Sequence, residues 1–285
     1  MAHNLQERYS ALVDVKLRAS LVTKDNVIFN TRYEGNPTAG AVNIPVRDAE
    51  VAVQDYNPLT GVSLTNGDTN YLKVLIDKDK AVNELIDGYQ AAAVPDNLVA
   101  DRLDSAGYST AASIDADALS ILGNLHKATY NSTDPRYGKK ATTAVESGTD
   151  PFGDVTSAAE ALDLAYVPTA GRYVIVSPNF YKQILNDKDN FIKKGDLSQK
   201  IVETGAVGEI GGFIVYRSAR LPEGVQAVFG HPDFATRVDE WSVPVHLQDL
   251  AGSGQYIGAS AVQGRMVYTH AVTKPQAFHI LTKKA

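Results

Sequence analysis

The sequence predicts an α+β fold, and three stretches of the chain carry that prediction. Residues 34–77 alternate apolar side chains with polar or small ones, which is the period-two pattern of β-strands. Residues 95–130 place apolar side chains at helical spacing over many turns. From residue 155 onward, short apolar runs alternate with short helical patterns and turn signals. We therefore expect a long β-arm, a long helix and a mixed α/β region, in that order.

The bulk composition is that of an ordinary globular chain. It has 285 residues, 44% hydrophobic and 21% charged, enough for one large or two modest domains with a sizeable core. The absence of cysteine excludes a disulfide framework and thiolate chemistry. A formal net charge of −6 argues against tight, sequence-blind binding of nucleic acid. No apolar run approaches the roughly 18 residues of a membrane span, and the first residues lack the pattern of a signal peptide.

Residues 1–33 predict a short amphipathic helix followed by an extended segment at Val27–Phe29. Two roles are open for this stretch: it packs on its own domain, or it is an arm that packs on a neighbouring subunit. The helical spacing rests on Leu5, Tyr9, Leu12, Val13 and Leu17.

Residues 34–77 predict strands separated by turns. Turn signals stand at Asn57-Pro58, Gly61 and Asn66-Gly67. A lone two-stranded ribbon is marginally stable in water, so we expect this arm to lie on its own body or on another chain. The alternating apolar positions are Val42, Ile44, Val46, Val51, Val53, Leu72, Val74 and Ile76.

Two helices are predicted after the arm. Residues 77–94 show helical periodicity, with Val82, Leu85, Ile86 and Tyr89 on one face. Residues 95–130 predict one helix of about 50 Å. An alternative splits it in two, with Ser113 capping the second helix and Asp115 in its first turn. In that position, helix-start electrostatics accounts for the carboxylate.

The rest of the chain predicts short elements. Residues 131–154 are turn-rich and read as a surface loop at a subdomain boundary, and residues 186–209 as a mobile loop. Helices are predicted at 155–167 and from Ser177-Pro178 to about Leu185, with a short one from His231. Strands are predicted at Tyr173–Val176, 210–218, Val225–Gly230 and 237–250, with two more within 255–283.

A search for catalytic and binding motifs predicts no catalytic, cofactor or metal site. The six histidines show no metal-ligand spacing, and Asp115 and Asp117 would lie on different faces of a helix. The glycines from Gly205 to Gly212 precede a strand instead of opening a helix, so they fail the test for a dinucleotide-binding loop. Neither a phosphate-binding GxxxxGK[ST] loop nor a GxSxG nucleophile elbow is present.

The order of parts resembles the major capsid protein family of tailed phages, which has the Hong Kong 97-type capsid fold. Phe29–Asp48 looks like the lead into the extended loop of that family, and Tyr71–Asp87 like its return. Tyr173–Leu185 and Gly205–Pro222 resemble segments of its axial domain. The resemblance implies an N-terminal arm at 1–33, an extended β-hairpin loop at 34–77, and an axial domain at 155–236. It also implies a peripheral domain with a spine helix at 78–154, completed by C-terminal strands at about 237–285.

The same resemblance implies a non-enzymatic shell protein of the virion, assembled in the host cytoplasm. Hexamers and pentamers would form an icosahedral head around double-stranded DNA, with only weak non-specific DNA contact and no membrane. The implied partners are a separate scaffolding protein and a portal, with a decoration protein as an open further partner. A separate scaffold is expected because the arm-like pattern begins at the start of the sequence. Two alternatives are an encapsulin-type nanocompartment shell and a small-molecule enzyme whose α/β domain spans Val155–Ala285.

Inter-subunit contacts are expected from the two extensions of the chain. One compact body cannot easily present several interfaces of roughly 800 Å² each, so an arm that reaches over neighbours would supply the area. The predicted contact residues are Tyr9, Leu12, Phe29, Val42, Ile44, Val46, Val51, Val53, Tyr56, Tyr71 and Val74.

Overall fold

In the part of the chain that the structure describes, three β-sheets pack with one long helix. A computed structural model describes residues 16–23, 27–47, 50–51, 53–64, 69–93, 97–186, 206–250 and 254–284. A two-stranded sheet pairs β1 (Ala41–Val46) with β2 (Asn70–Leu75). An antiparallel sheet of three strands has the order β3-β10-β9, formed by β3 (Lys78–Asp87), β9 (Ala235–Asp249) and β10 (Ala259–Val272).

The third sheet has six strands and contains the main hydrophobic core. Its order is β4-β11-β8-β5-β7-β6, and the β4–β11 and β5–β7 pairs are parallel. Both β5 and β8 are buried along their whole length, as their continuous apolar runs require. The strands are β4 (Thr142–Val145), β5 (Tyr173–Val176), β6 (Ala206–Ile210), β7 (Phe213–Arg217), β8 (Val225–Gly230) and β11 (His279–Thr282).

The described residues form four α-helices beside the sheets: α1 (Gly88–Ala93), α2 (Leu98–Gly123), α3 (Pro151–Leu164) and α4 (Pro178–Asn186). Short 3-10 helices lie at Leu125–Lys127, Pro232–Phe234 and Pro275–Ala277. The first turn of α3 is capped by Asp150, whose Oδ1 accepts a hydrogen bond from the Gly153 N–H at 2.8 Å.

The long helix α2 is continuous, so the alternative of two helices is wrong. Its 26 residues span about 39 Å, with Ser113 in the interior and the last turn at Gly123 instead of Tyr130. One stripe of the helix is buried, by Ala106, Ile114, Ala118, Leu119 and Leu122. At its end, a Cβ on Gly123 would lie 2.7 Å from the ring of Pro222, so only glycine allows this approach to the turn before β8.

The predicted helix at 77–94 is wrong over most of its length, because residues 78–87 form strand β3. This strand pairs with β10 from Lys78↔Tyr268 to Asp87↔Ala259. Alternate side chains face α2: Lys80 lies 3.5 Å from Asp117, and Glu84 lies 3.5 Å from Arg102. Ten residues of cross-strand pairing outweigh the local helical spacing of Val82, Leu85 and Ile86, which leaves Leu85 on the exposed face of the sheet.

The other elements agree with prediction more closely. The predicted strands at Tyr173–Val176, Val225–Gly230, 237–250 and within 255–283 are confirmed, as is the helix after Ser177. The loop predicted at 131–154 contains β4 and the first turn of α3. The strand predicted at 210–218 is interrupted by a turn at Gly211 and Gly212, which both have positive φ. Of the loop predicted at 186–209, residues 187–205 lie outside the described residues, and residues 206–209 belong to β6.

The N-terminal segment packs on its own chain wherever the structure describes it. Ile28 and Phe29 are buried in the core of the six-stranded sheet, and the Asn30 backbone pairs with Thr236 at the start of β9. Residues 16–23 are not helical. The remainder of the predicted amphipathic helix, including Tyr9 and Leu12, lies outside the described residues.

Candidate assembly interface

The base of the β-arm lies on the chain's own body. Strands β1 and β2, which we call the foot, form six pairs from Ala41↔Leu75 to Val46↔Asn70. Period-two alternation directs one face of this ribbon inward, where Ile44, Val46, Leu72 and Val74 pack with Ala271 of β10. The ribbon therefore finds its stabilising partner within the same chain.

The distal part of the arm, residues 50–64, exposes a set of apolar side chains; we call it the finger. Its described residues contain no strand, so the strand predicted at Val51 and Val53 is wrong. Its tip is a turn in which the Gly61 N–H donates to the Asn57 carbonyl at 2.8 Å. Six apolar side chains of the finger are exposed, with fractions of 87% for Val51, 98% for Val53, 73% for Tyr56, 95% for Leu59, 48% for Val62 and 103% for Leu64.

The exposed apolar side chains of the finger are unfavourable in water when the chain is isolated. Single exposed apolar side chains are normal, but a contiguous apolar patch on a monomer marks an interaction site. The finger concentrates this exposure in one short segment, and its turn is closed by local hydrogen bonds. Gln54 Nε2 donates to the Ser63 carbonyl at 3.2 Å, and the Ser63 hydroxyl donates to Gln54 Oε1 at 2.9 Å.

The predicted contact residues fall into three groups. Val51, Val53, Tyr56 and Tyr71 are exposed and available to another molecule. Tyr9 and Leu12 lie outside the described residues. The third group is occupied within the chain, since Phe29 belongs to the main core and the alternate positions of the foot face the body: Ile44, Val46 and Val74 are buried, and Val42 is half-buried against them. The side chains of this third group pack on their own chain, and their predicted contact with a neighbour stays a prediction.

A second extension, residues 16–23, lies along α2; we call it the strap. The Lys16 ammonium lies 2.6 Å from Asp101, and the Arg18 guanidinium lies 2.5 Å from Asp104. Further along, Tyr108 donates to the Ala19 carbonyl at 3.0 Å. Six residues of extended chain cover roughly 20 Å, close to the helix rise of about 21 Å between positions 101 and 115. The strap therefore runs parallel to the helix.

Asp115 holds the end of the strap. Its side chain is fully buried, and its Oδ1 accepts hydrogen bonds from the Val22 and Thr23 N–H groups at 2.9 and 3.0 Å. Its Oδ2 lies 3.3 Å from the Arg220 guanidinium, which also donates to the Tyr108 hydroxyl at 3.0 Å. One carboxylate thus joins the strap, the long helix and the loop before β8.

The interpretation of Asp115 as a helix-start residue is wrong, because it lies in the interior of α2. The sequence did contain a signal for the buried position of Asp115, because it lies between Ile114 and Ala118 on an otherwise apolar stripe of the helix. A carboxylate is tolerated in such a place only when it has hydrogen-bonding partners. Asp117 does lie on a different face, as predicted, and accepts a hydrogen bond from the Tyr268 hydroxyl at 2.9 Å. Burial and this hydrogen bond raise the pKa of Tyr268 well above its usual value.

Metal-binding clusters and membrane-spanning helices are both missing from the described residues. Among them, no group of three or more His, Asp or Glu side chains could hold a metal ion. No helix in the described ranges is long and apolar enough to cross a membrane.

Comparisons with known proteins agree with this architecture. A family profile described as "Phage capsid protein" matches residues 88–280, which is more than half of the chain. A search of curated protein sequences finds no significant match.

Solved phage structures match over almost the full length. A chain from Mycobacterium phage Che8 is 21% identical with a TM-score of 0.72, covering 97% of this chain and 96% of that one. The capsid of cyanophage P-SCSP1u gives 16% identity and a TM-score of 0.75, covering 98% and 93%. The mature capsid of bacteriophage PhiM1 gives 15% identity and a TM-score of 0.72, covering 98% and 92%.

The profile match shows the family of this chain, and the structural matches show its fold. The alternative of a small-molecule enzyme is therefore wrong. The chain belongs to the phage capsid protein family and has the Hong Kong 97-type capsid fold; it is a major capsid protein of the virion, not an enzyme.

Proposed function

We propose that the finger of one copy packs on a neighbouring copy, and that this contact builds the hexamers and pentamers of an icosahedral head around double-stranded DNA. The observation that carries the proposal is the division of the arm into a buried foot and an exposed finger. The foot fixes the direction of the arm on its own body. The finger then presents apolar side chains that its own chain leaves uncovered.

Burial of the finger's apolar side chains against a neighbouring copy would release enough free energy to stabilise the contact. A fully buried Val, Leu or aromatic side chain contributes about 1.5–3 kcal/mol. The six exposed apolar side chains of the finger therefore supply on the order of 10 kcal/mol, from which the entropy of association is subtracted. Each copy in a closed ring both gives and receives such a contact, since head-to-tail interfaces close into rings.

The division of the chain into domains is part of this proposal. We retain the arm at 1–33, the extended loop at 34–77, and the division between a peripheral and an axial domain. We move two strands from the peripheral to the axial domain, because β4 and β11 belong to the same six-stranded sheet as β5 to β8. We therefore assign residues 142–145 and 279–282 to the axial domain, and keep β3, α2, β9 and β10 in the peripheral domain.

The partners beyond the chain itself stay proposals. A separate scaffolding protein, a portal and a decoration protein would each meet the assembled shell. The net charge of −6 supports weak contact with packaged DNA, because a strongly basic inner surface would bind the genome tightly. The family match to phage capsid proteins supports a phage head over the nanocompartment alternative.

The test replaces apolar finger residues while leaving the body intact. We expect the triple variant Val51→Ser, Val53→Ser and Leu64→Ser to fold with an unchanged melting temperature. When it is co-expressed with the other head genes of the phage, electron microscopy should show at least tenfold fewer particles than for the wild type.

A matched control changes polar residues of the same finger. The double variant Asp55→Asn and Thr60→Ser alters exposed side chains without removing apolar surface, and it should assemble normally. Normal particle yield from the triple variant would refute the role of the finger.

A further inference from the structure

Tyr166 adopts a backbone conformation that is unfavourable for a bulky residue. It follows the end of α3 and has a φ of +54°, in the left-handed region. The Tyr166 N–H donates to the Asp163 carbonyl at 3.0 Å, and the Val167 N–H donates to the Leu162 carbonyl at 3.1 Å. These two bonds form a Schellman motif, in which the left-handed position is usually glycine or asparagine.

Packing within the chain does not explain why a tyrosine occupies this strained position. Its side chain is 95% exposed, whereas Leu162 and Val167 provide the buried apolar contact that normally accompanies this motif. A glycine would remove the steric conflict between Cβ and the backbone at no visible loss of packing. Strained positions that persist without an internal benefit are characteristic of functional sites.

The loop that carries Tyr166 is held rigidly. Arg172 is almost fully buried, and its guanidinium donates to the carbonyls of Val167 at 2.6 Å and Pro168 at 2.9 Å, and to Asp163 at 2.6 Å. At the far end of the loop, His231 Nε2 lies 2.8 Å from the Ala170 carbonyl. The backbone at Tyr166 is therefore held in place before any partner arrives, which lowers the entropy cost of binding.

A second exposed apolar side chain lies two residues before Tyr166 in the sequence. Leu164 is the last residue of α3 and is 74% exposed. We call this pair, Leu164 and Tyr166, the α3 corner. Rigid aromatic side chains with an aliphatic neighbour are typical anchors of protein interfaces.

We propose that the α3 corner is an inter-subunit contact made with a second copy of this chain. The inference rests on the proposed function, since a shell of many copies brings the same surfaces together repeatedly. The corner follows α3, next to the six-stranded sheet, whereas the finger follows the two-stranded foot. A head-to-tail ring needs contacts between different patches, and the corner adds one that the finger does not supply.

The test uses the opposite effects of a glycine on stability and assembly. Tyr166→Gly should raise the melting temperature of the unassembled chain by about 2–4 °C, because the backbone strain is removed. The same variant should lower particle yield at least tenfold in co-expression with the other head genes. Tyr166→Ala keeps the strain and loses the ring, so it should melt like the wild type and assemble as poorly as the glycine variant.

Two controls separate ring from backbone. Tyr166→Phe keeps the ring and should assemble within about twofold of the wild type. Asn97→Gly relaxes the other non-glycine residue with positive φ among the described residues, and it should leave particle yield unchanged. Wild-type yield from both Tyr166→Gly and Tyr166→Ala would overturn the inference while leaving the proposed function intact. Failure of the wild type itself to form particles would instead refute the proposed function.

The identity of the partner is tested directly. A photo-crosslinking amino acid at position 166 in assembling chains should give a product of twice the 30.6 kDa chain mass. A product that contains a scaffolding, portal or decoration protein instead would overturn the assignment to a second copy.

Discussion

At the scale of single residues, Asp115 is the most consequential side chain of the described chain. A fully buried carboxylate is tolerated only when its hydrogen bonds are satisfied, and here the strap and Arg220 satisfy them. The strap is also attached by the buried side chain of Val22 and by two ion pairs with α2 that are partly exposed to solvent. Exposed ion pairs contribute little, so we expect the buried carboxylate to supply a large part of the polar attachment of the strap.

The first prediction concerns this carboxylate. Asp115→Ala should lower the free energy of unfolding by about 3–5 kcal/mol, because it leaves the Arg220 charge and two backbone N–H groups without their partner. Chemical denaturation measures the loss. Limited trypsin digestion should also cleave faster at Arg18, because the strap is released.

Asp104→Ala is the matched control on the same helix. It removes the exposed partner of Arg18, and it should cost far less stability than the loss of Asp115. Equal stability of the two variants would show that Asp115 does not hold the strap.

At the scale of elements, the arm combines two different structures. The foot is a paired ribbon with a buried face, whereas the described residues of the finger form no strand. The foot should therefore fold with the body, whereas the finger should contribute little to the stability of the isolated chain. The foot thus belongs to the folded body, and the proposed assembly contact belongs to the finger.

The second prediction follows from that separation. Replacing residues 47–69 with Asn-Gly keeps all six pairs of the foot and closes them with a two-residue hairpin turn. The melting temperature should change by no more than about 2 °C, and particles should be absent by electron microscopy. Unfolding of the shortened chain would instead show that the finger belongs to the core.

Helices and strands were predicted correctly from the sequence where their apolar pattern is strong. The prediction failed where pairing with a distant strand determines the structure. The buried strands β5 and β8 and the long helix α2 carry apolar patterns that permit few readings. β3 was misread because its apolar residues also fit a helix, and only its pairing with β10 distinguishes the two. The short strand β4 was missed because its side chains are largely exposed and its partner β11 is distant in sequence.

The candidate site was predicted in part for the same reason. Val51, Val53 and Tyr56 were expected at an interface, and their exposure supports that expectation. The pattern could not tell the inward face of the foot from an interface, since burial against the same chain or another chain gives the same alternation. The sequence could not predict a contact at Tyr166, because the strain at this residue is visible only in the backbone geometry.

At the scale of the whole molecule, two buried histidines link stability to pH. Burial lowers the pKa of His270 and of His279 to about 4. Around His270, the Arg237 charge also lowers this pKa, and Asp117 opposes the shift. Both histidines are therefore neutral in the folded chain at pH values where the unfolded chain binds protons, with a reference pKa near 6.5.

The third prediction is a loss of stability in weak acid. Between pH 6.5 and 4 the unfolded state binds more protons, so the free energy of unfolding falls as the pH falls, by up to about 3 kcal/mol for each histidine. Urea denaturation of the unassembled chain at a series of pH values measures this slope. His270→Phe should reduce the slope between pH 5 and 6.5 by about half, because one of the two groups is removed.

A control separates titration from packing at the same place. Phe29 contacts the ring of His270 with a centroid distance of 4.8 Å. Phe29→Leu should therefore lower stability at every pH while leaving the slope unchanged. An unchanged slope in the His270→Phe variant would contradict the assignment of the pH dependence to this residue.

The position of β11 has a consequence for the timing of synthesis. This strand is translated after all the other described strands, yet it lies between β4 and β8 in the six-stranded sheet. Until the ribosome has added His279–Thr282, β4 and β8 each keep an unpaired edge and the core of the six-stranded sheet is incomplete. A nascent chain therefore completes the core of its six-stranded sheet only after translation has passed Leu281, because Phe278, Ile280 and Leu281 belong to that core.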